Sequence, residues 1–283
     1  MTQMLVKQNK FPVWQVCEFL ELPRSSYYYE SKKQDENELI QDVKEITGKY
    51  VRYGTRRVTE ELKRSPYDYC VNRKHIQRIM RQEGLLRPQK VRKTRTTNSN
   101  HPYPRYLNLV NGLETTYPDQ VWVSDITYVR LANNFVYLAI VMDVFTRMIR
   151  GWYLDISMGQ ELTIKALQMA LADHVPGIHH SDQGVQYAAH AYVDLLKSHG
   201  VKISMANPGK PEENGYAERF MRTIKEEEID LSEYYDFSDT KNQIGHFIED
   251  VYMTKRIHSS LGYLTPVEFE SQWRDTQLVM DTP

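Results

Sequence analysis

The sequence predicts an all-α N-terminal region followed by an α/β domain built on a mixed five-stranded sheet with flanking helices. Three observations carry that expectation. The charge reverses along the chain: residues 1–110 hold 22 Lys and Arg against 12 Asp and Glu, net +10, whereas residues 111–283 hold 14 against 25, net −11. Apolar residues recur with a helical period of about 3.6 up to Gln120 and with the two-residue period of strands after it. Beyond that point the elements run three strands, helix, strand, helix, strand, helix. A length of 283 residues suits two domains at roughly 150 residues each.

Composition excludes several classes. The longest uncharged apolar stretch, Phe135 to Met142, is far short of the ~20 residues of a membrane span, and no apolar run follows Lys7 and Lys10. The expected location is the cytoplasm, with no membrane partner. Cys17 and Cys70 stand in no Cys-x-x-Cys spacing, which excludes a disulfide framework or a Cys-based zinc site. A basic module attracts a polyanion such as nucleic acid. An acidic module working beside it needs a reason for its carboxylates, and a divalent cation is the commonest.

In the N-terminal region, Val13, Trp14, Val16, Cys17, Phe19 and Leu20 mark a short helix, and the turn Leu22 to Ser26 makes it resemble half of a helix-turn-helix. Leu39, Val43 and Ile46 continue a helical stripe. Tyr53-Gly54 then breaks it, with Thr55 placed to cap a helix carrying Val58 and Leu62. Asn72 caps the next helix, which stops at Gly84. On it Ile76, Ile79 and Met80 share one side, while Lys74, Gln77, Arg78 and Arg81 gather on the other, the pattern of a recognition helix facing phosphates and base edges. Residues 1–86 thus read as helical DNA-binding modules. Residues 87–106, rich in Pro and basic without an acid from Arg87 to Arg105, read as an extended linker able to follow a DNA backbone through Arg92 and Lys93.

Residues 107–283 form the α/β part. Strands are expected at Val121–Val129, Phe135–Phe145 and Ile149–Leu154, the first two joined by Ala132-Asn133-Asn134. A helix over Gly159–Ala172, a strand ending at His180-Ser181-Asp182, a helix over Ala188–His199, a strand at Val201–Met205 and a helix over Glu212–Glu228 follow. That order is the ribonuclease H-like one. Helices near Thr240–Arg256 and Pro266–Trp273 close the domain.

Position selects among the 25 acids of this part. Asp125 stands inside a strand of Val, Trp, Ile and Tyr, where an uncompensated carboxylate is costly. Asp182 lies where a strand ends and Gly184 lets the chain turn, a common site position in α/β sheets. Glu218 shares a polar helix sector with Asn214, Arg222 and Lys225, opposite Ala217, Phe220 and Ile224. Asp143 reads either as a strand-end cap or as an acid supporting the site from behind, outside the triad, His179 and His180 as packing or DNA-contacting residues, and Glu226 to Glu228 as a solvated charge run. His258 either packs or touches DNA.

Between Asp182 and Glu218 lie 35 residues, and Lys225 follows the Glu by seven. With Trp122-Val123-Ser124-Asp125-Ile126-Thr127-Tyr128, Met142 to Arg147, His180 to Tyr187, Glu213 to Phe220, His258 to Pro266, and in the first half Arg24 to Tyr28 and Tyr53 to Arg57, the chain resembles the retroviral-integrase-like transposases with an Asp-Asp-(35)-Glu triad. Within them it resembles the second-reading-frame product of a bacterial insertion-sequence family made by programmed frameshifting. One loop, Ala206 to Pro211, departs from the family pattern.

The resemblance implies a DNA transposase in which Asp125, Asp182 and Glu218 are both catalytic residues and ligands of two Mg²⁺ or Mn²⁺ ions, Asp125 bridging both. Lys225 and Arg222 would grip phosphate near the scissile bond. Expected partners are the element ends, target DNA, a companion first-frame protein and a second copy of the chain, at the nucleoid of a bacterial cytoplasm. Two other readings remain: a structure-selective nuclease of the same fold, and a DNA-binding regulator with an inactive core.

Overall fold

The computed structural model describes residues 12–21, 23–24, 36–86, 104–131, 134–207 and 210–280. Arg92, Lys93 and most of the linker therefore lie outside the described residues, as do parts of the turns at 22–26 and 132–134 and of the 206–211 loop. The chain divides into two compact units, 1–44 and 45–283. In the first, α1 (Val13–Phe19) buries Val16 and Cys17. The next helix, α2 (Asn37–Lys49), runs past the division and buries Leu39, Val43 and Ile46 as one stripe, with Glu38 in its first turn and Lys49 in its last, each suiting the helix dipole.

In the second unit α3 (Thr55–Glu61) begins differently from expectation. Gly54 occupies the cap position without a side-chain bond, and Thr55 is the first helical residue, its carbonyl accepting from the Thr59 hydroxyl at 2.7 Å. The cap of α4 (Arg73–Gln82) is as expected: the Asn72 side chain accepts from the Lys74 N–H at 2.9 Å. Ile76, Ile79 and Met80 are buried.

Strands β1 (Val121–Arg130), β2 (Phe135–Asp143) and β3 (Ile149–Asp155) form an antiparallel meander. Two parallel strands, β4 (Ile178–Ser181) and β5 (Lys202–Met205), extend it in the order β3-β2-β1-β4-β5. β2 stops at Asp143 rather than Phe145. The Asp143 carboxylate accepts from the Thr146 N–H at 2.8 Å and its hydroxyl at 2.6 Å, which turns the chain there, so Asp143 is the strand-end cap expected of it.

Both faces of the sheet are covered, which explains why β1 and β2 read as nearly continuous apolar runs. Trp122, Ala139 and Val141 pack on one side with α5 (Gln160–Leu171) and α7 (His190–Ser198), which follows the single turn α6 (Val185–Ala188). β3 and α5 approach so closely that a Cβ on Gly151 would collide with the Ala166 carbonyl. Val121, Val123, Ile140 and Met142 pack on the other side against α8 (Gly215–Ile224) and α9 (Phe237–His246). The expected single helix over 212–228 is three pieces: a 3-10 turn at Pro211–Asn214, α8, and a π-helical turn at Lys225–Ile229. A further π turn, Phe247–Tyr252, extends α9. The last helix, α10 (Pro266–Met280), opens on a capping box: the Glu268 carboxylate accepts from the Thr265 N–H at 2.8 Å and Glu268 N–H donates back to the Thr265 hydroxyl at 3.2 Å.

The segment from Tyr53 to Arg64 is seated on the C-terminal elements of the same unit. The Tyr53 hydroxyl accepts from the Ile257 N–H at 2.9 Å, and Arg64 donates to the Tyr263 carbonyl at 3.1 Å and pairs with Glu268.

Candidate active site

Asp125 is buried in the middle of β1. Alternation along the strand sends it to the same side as Val121 and Val123, the side that α8 covers. β1 and β4 are parallel, with Ser124 opposite Ser181, so the next step of the register sets Asp125 beside Asp182 on the neighbouring strand's end. Asp182 is held there by a tight turn in which its Oδ1 accepts from the Gly184 N–H at 3.0 Å. Both carboxylates act on buried Tyr187, whose hydroxyl is raised well above its ordinary pKa by burial first, then by Tyr192, Asp125 and Asp182. The phenol therefore stays protonated.

Glu218 is in the first turn of α8. That helix crosses β1 through Ala217, Phe220, Met221 and Ile224, and its start is pinned where Asn214 Nδ2 donates to the Ser124 carbonyl at 3.1 Å. Three carboxylates thus come from three elements that meet around Ser124. Among the described residues no group of three His, Cys, Asp or Glu side chains is gathered tightly enough to hold a metal ion. The Tyr187 hydroxyl and Asn214 Oδ1 are buried with no hydrogen-bond partner among the described residues.

The two histidines preceding Asp182 are structural supports. His179 Nε2 meets the Ser124 hydroxyl at 2.8 Å and the Tyr192 hydroxyl at 2.9 Å; His180 pairs with Ser204 at 2.8 Å and the Glu213 carbonyl at 3.1 Å. Burial pushes their pKa values down to about 3 and about 4, so both are neutral at pH 7. Glu213 in turn accepts from the Asn207 N–H and side chain and from Asn108, which hold its carboxyl down at about 2.

Past the triad positions, Lys225 is half-buried with its ammonium 4.4 Å from the Tyr128 ring centroid, and Arg222 is exposed on α8. Lys74, Arg78 and Arg81 are exposed on α4 and Gln77 is half-buried; Arg78 donates to Gln82 at 3.1 Å. These four belong to the helical segment, not to the elements that carry Asp125, Asp182 and Glu218.

The acidic run departs from expectation. Glu226 to Glu228 are not a solvated face, because the π turn directs them inward. Glu227 makes a two-pronged ion pair with buried Arg256 at 2.7 and 2.8 Å and lies 3.9 Å from Arg57, while Glu228 accepts from Ser232 and Tyr234. His258 packs: it is buried, edge-on to Tyr252 at 4.9 Å, and burial followed by the Arg256 charge takes its pKa down to about 2. The supporting roles of Asn214, Tyr187 and Glu213 had no signal in the spacing alone.

No helix among the described residues is long and apolar enough to cross a membrane. Residues 115–211 and 199–266 each match a family model described as an integrase core domain, and residues 34–93 match an HTH-like domain. The 31 kDa protein of insertion element IS600 from Shigella sonnei is 36% identical over 91% of this chain and 98% of its own. The transposase of insertion sequence element IS904 from Lactococcus lactis is 33% identical over 85% and 96%. Among solved structures, the HTLV-2 integrase catalytic core domain in complex with magnesium aligns with a TM-score of 0.46 at 16% identity, covering 56% of this chain and 99% of that one. With the mixed sheet, the helical N-terminal segment and relatives matched almost end to end, the chain belongs to the integrase-core transposase family of insertion sequences.

Proposed function

We propose that the chain is a metal-dependent polynucleotidyl transferase that cleaves the 3′ ends of its insertion sequence and joins them to target DNA. The observation that carries this reading is the meeting of Asp125, Asp182 and the first turn of α8, bearing Glu218, around the Ser124 backbone. The donor set fits Mg²⁺ or Mn²⁺: all three groups are hard carboxylate oxygens, neither Cys17 nor Cys70 lies on the elements that carry them, and His179 and His180 already hold other partners. Tyr187 and Asn214 add polar atoms that a hydrated cation's waters would satisfy. Bound there, a pair of ions supplies activation of the attacking hydroxyl and charge stabilisation at the leaving oxygen.

The remaining roles fall to the chain's own residues. Asn214 fixes the helix that carries Glu218, and Tyr187 offers a hydroxyl proton beside two carboxylates. Lys225 and Arg222 bind phosphates flanking the reacting one, while Lys74, Gln77, Arg78 and Arg81, with Arg92 and Lys93 of the linker, bind the duplex of the element end. Two ends must be handled together, so the working form is an oligomer on DNA, with a first-frame companion protein assisting at the nucleoid.

The test incubates the purified chain with Mg²⁺ or Mn²⁺ and a labelled duplex of the DNA flanking its gene, beside the Glu218→Gln variant. Nicking and joining by the wild type, with binding alone by the variant, is expected. Equal cutting by both would overturn the site, and cutting without joining would favour a structure-selective nuclease.

A further inference from the structure

A cleft of about 520 Å³ opens between the helical segment and the core of the 45–283 unit, with none of the three carboxylates in its lining. Its walls carry five guanidinium groups, those of Arg52, Arg56, Arg57, Arg73 and Arg219, and no acid. Two of them are structural. Arg52 donates to the Glu226 carbonyl at 3.0 Å and Arg57 lies beside Glu227. The other three, Arg56, Arg73 and Arg219, are exposed at the rim. Burial, and next the nearby Arg256, lower the pKa of Arg57, as expected where cations crowd with too little compensating charge.

The lining also defines the ligand. Besides the Tyr263 ring, the cleft is lined by Gly54, Thr55, Gln77 and Ser259, so its guanidinium groups dominate what it can hold. Five guanidinium groups with no acid in the lining suit backbone phosphodiesters. Arg73 and Gln77 stand on α4 and Arg219 follows Glu218 on α8, so one strand lying in the cleft would touch both the helical segment and the helix of the third carboxylate.

We propose that this arginine-walled cleft is a second DNA-backbone site, in which Arg56, Arg73 and Arg219 grip phosphodiesters of the duplex whose end is processed at Glu218. The inference rests on the transposase reading. Phosphates held at Arg219 would set the position of α8 on the DNA, coupling duplex binding to the placement of Glu218.

The experiment measures binding of the full chain to the labelled flanking-DNA duplex, and to a scrambled duplex, across a salt series. Each of Arg56→Ala, Arg73→Ala and Arg219→Ala should lower the slope of log affinity against log salt by about 1 and weaken both duplexes alike, because backbone contacts carry no sequence information. The corresponding Arg→Lys variants should keep the slope. Lys202→Ala, at the exposed first residue of β5, should change nothing, and dAMP should not compete. Unchanged slopes in the Ala variants of a chain that still cuts and joins would overturn the cleft and leave the transposase reading standing. Lost slopes in a chain that processes no DNA even with the first-frame companion added would keep the cleft and overturn that reading. Effective competition by dAMP would make the cleft a nucleotide pocket instead.

Discussion

Asn214 Nδ2 donates to the carbonyl of Ser124 at 3.1 Å, joining the start of one helix to the strand residue that precedes Asp125. This bond spans 90 residues of chain and fixes where Glu218 begins its helix relative to the buried aspartate. Asn214→Ala leaves a buried carbonyl without its donor, at a cost of about 1–3 kcal/mol. Strand transfer should fall much more than affinity for the flanking duplex, a split read by single-turnover joining beside equilibrium binding.

Removing a carboxylate should uncouple metal from stability. Mg²⁺ binding to the native state alone stabilises it by RT ln(1 + c/Kd), where c is the Mg²⁺ concentration, so the melting temperature rises with the logarithm of that concentration above Kd. Wild type should show that rise, and Asp125→Asn and Asp182→Asn should lose both it and strand transfer while keeping duplex affinity. Differential scanning fluorimetry over a Mg²⁺ series, with a chelator control, checks it.

His179 and His180 give the fold an acid limit. Their folded pKa values, about 3 and about 4, lie below the ordinary value near 6.5, so the unfolded chain takes up their protons first. Their contribution is complete above about pH 6.5 and is lost as pH falls from there towards the folded values, by about 1.4 kcal/mol per pH unit for each histidine. Buried His258, held down at about 2, adds to the same slope, so urea midpoints should fall from neutral to mildly acidic pH and His180→Gln should remove roughly a third of the histidine contribution.

The ion pair of Arg256 and Glu227 is costly to break from one side only. Their side chains are 3% and 15% exposed, so Glu227→Gln strands a buried guanidinium and should cost about 3–5 kcal/mol. The double variant Arg256→Met, Glu227→Met should recover much of that loss. Chemical denaturation of Glu227→Met, Arg256→Met and the double variant closes the cycle.

The sequence made legible whatever depends on neighbours along the chain. The stripe Ile76, Ile79, Met80 follows from helical period, and Asp125 stands out because a carboxylate among Val, Trp and Ile requires a reason. Asn72 was visible as a cap for the same reason of locality. The Glu226–Glu228 run was not, because the partner that draws Glu227 inward, Arg256, is 29 residues away. Thr55 is a good capping residue, yet Gly54 takes the position, since docking of Tyr53 against Ile257 fixes the chain just upstream. The register that brings Asp182 beside Asp125 likewise depends on which strands become neighbours. The family resemblance indicated it where periodicity could not.

The capping box of the last helix has a consequence for anyone dividing this chain. Glu268 gives one oxygen to the Thr265 N–H, which starts α10, and the other to Arg64, some two hundred residues earlier. A fragment beginning after the basic linker would therefore lose Arg64, and with it the Tyr53 acceptor of the Ile257 N–H and the donor to the Tyr263 carbonyl. The helical segment from Tyr53 to Arg64 behaves as a missing wall of the core rather than as a detachable reader. A scissor placed at the linker would leave the core's C-terminal end unfinished.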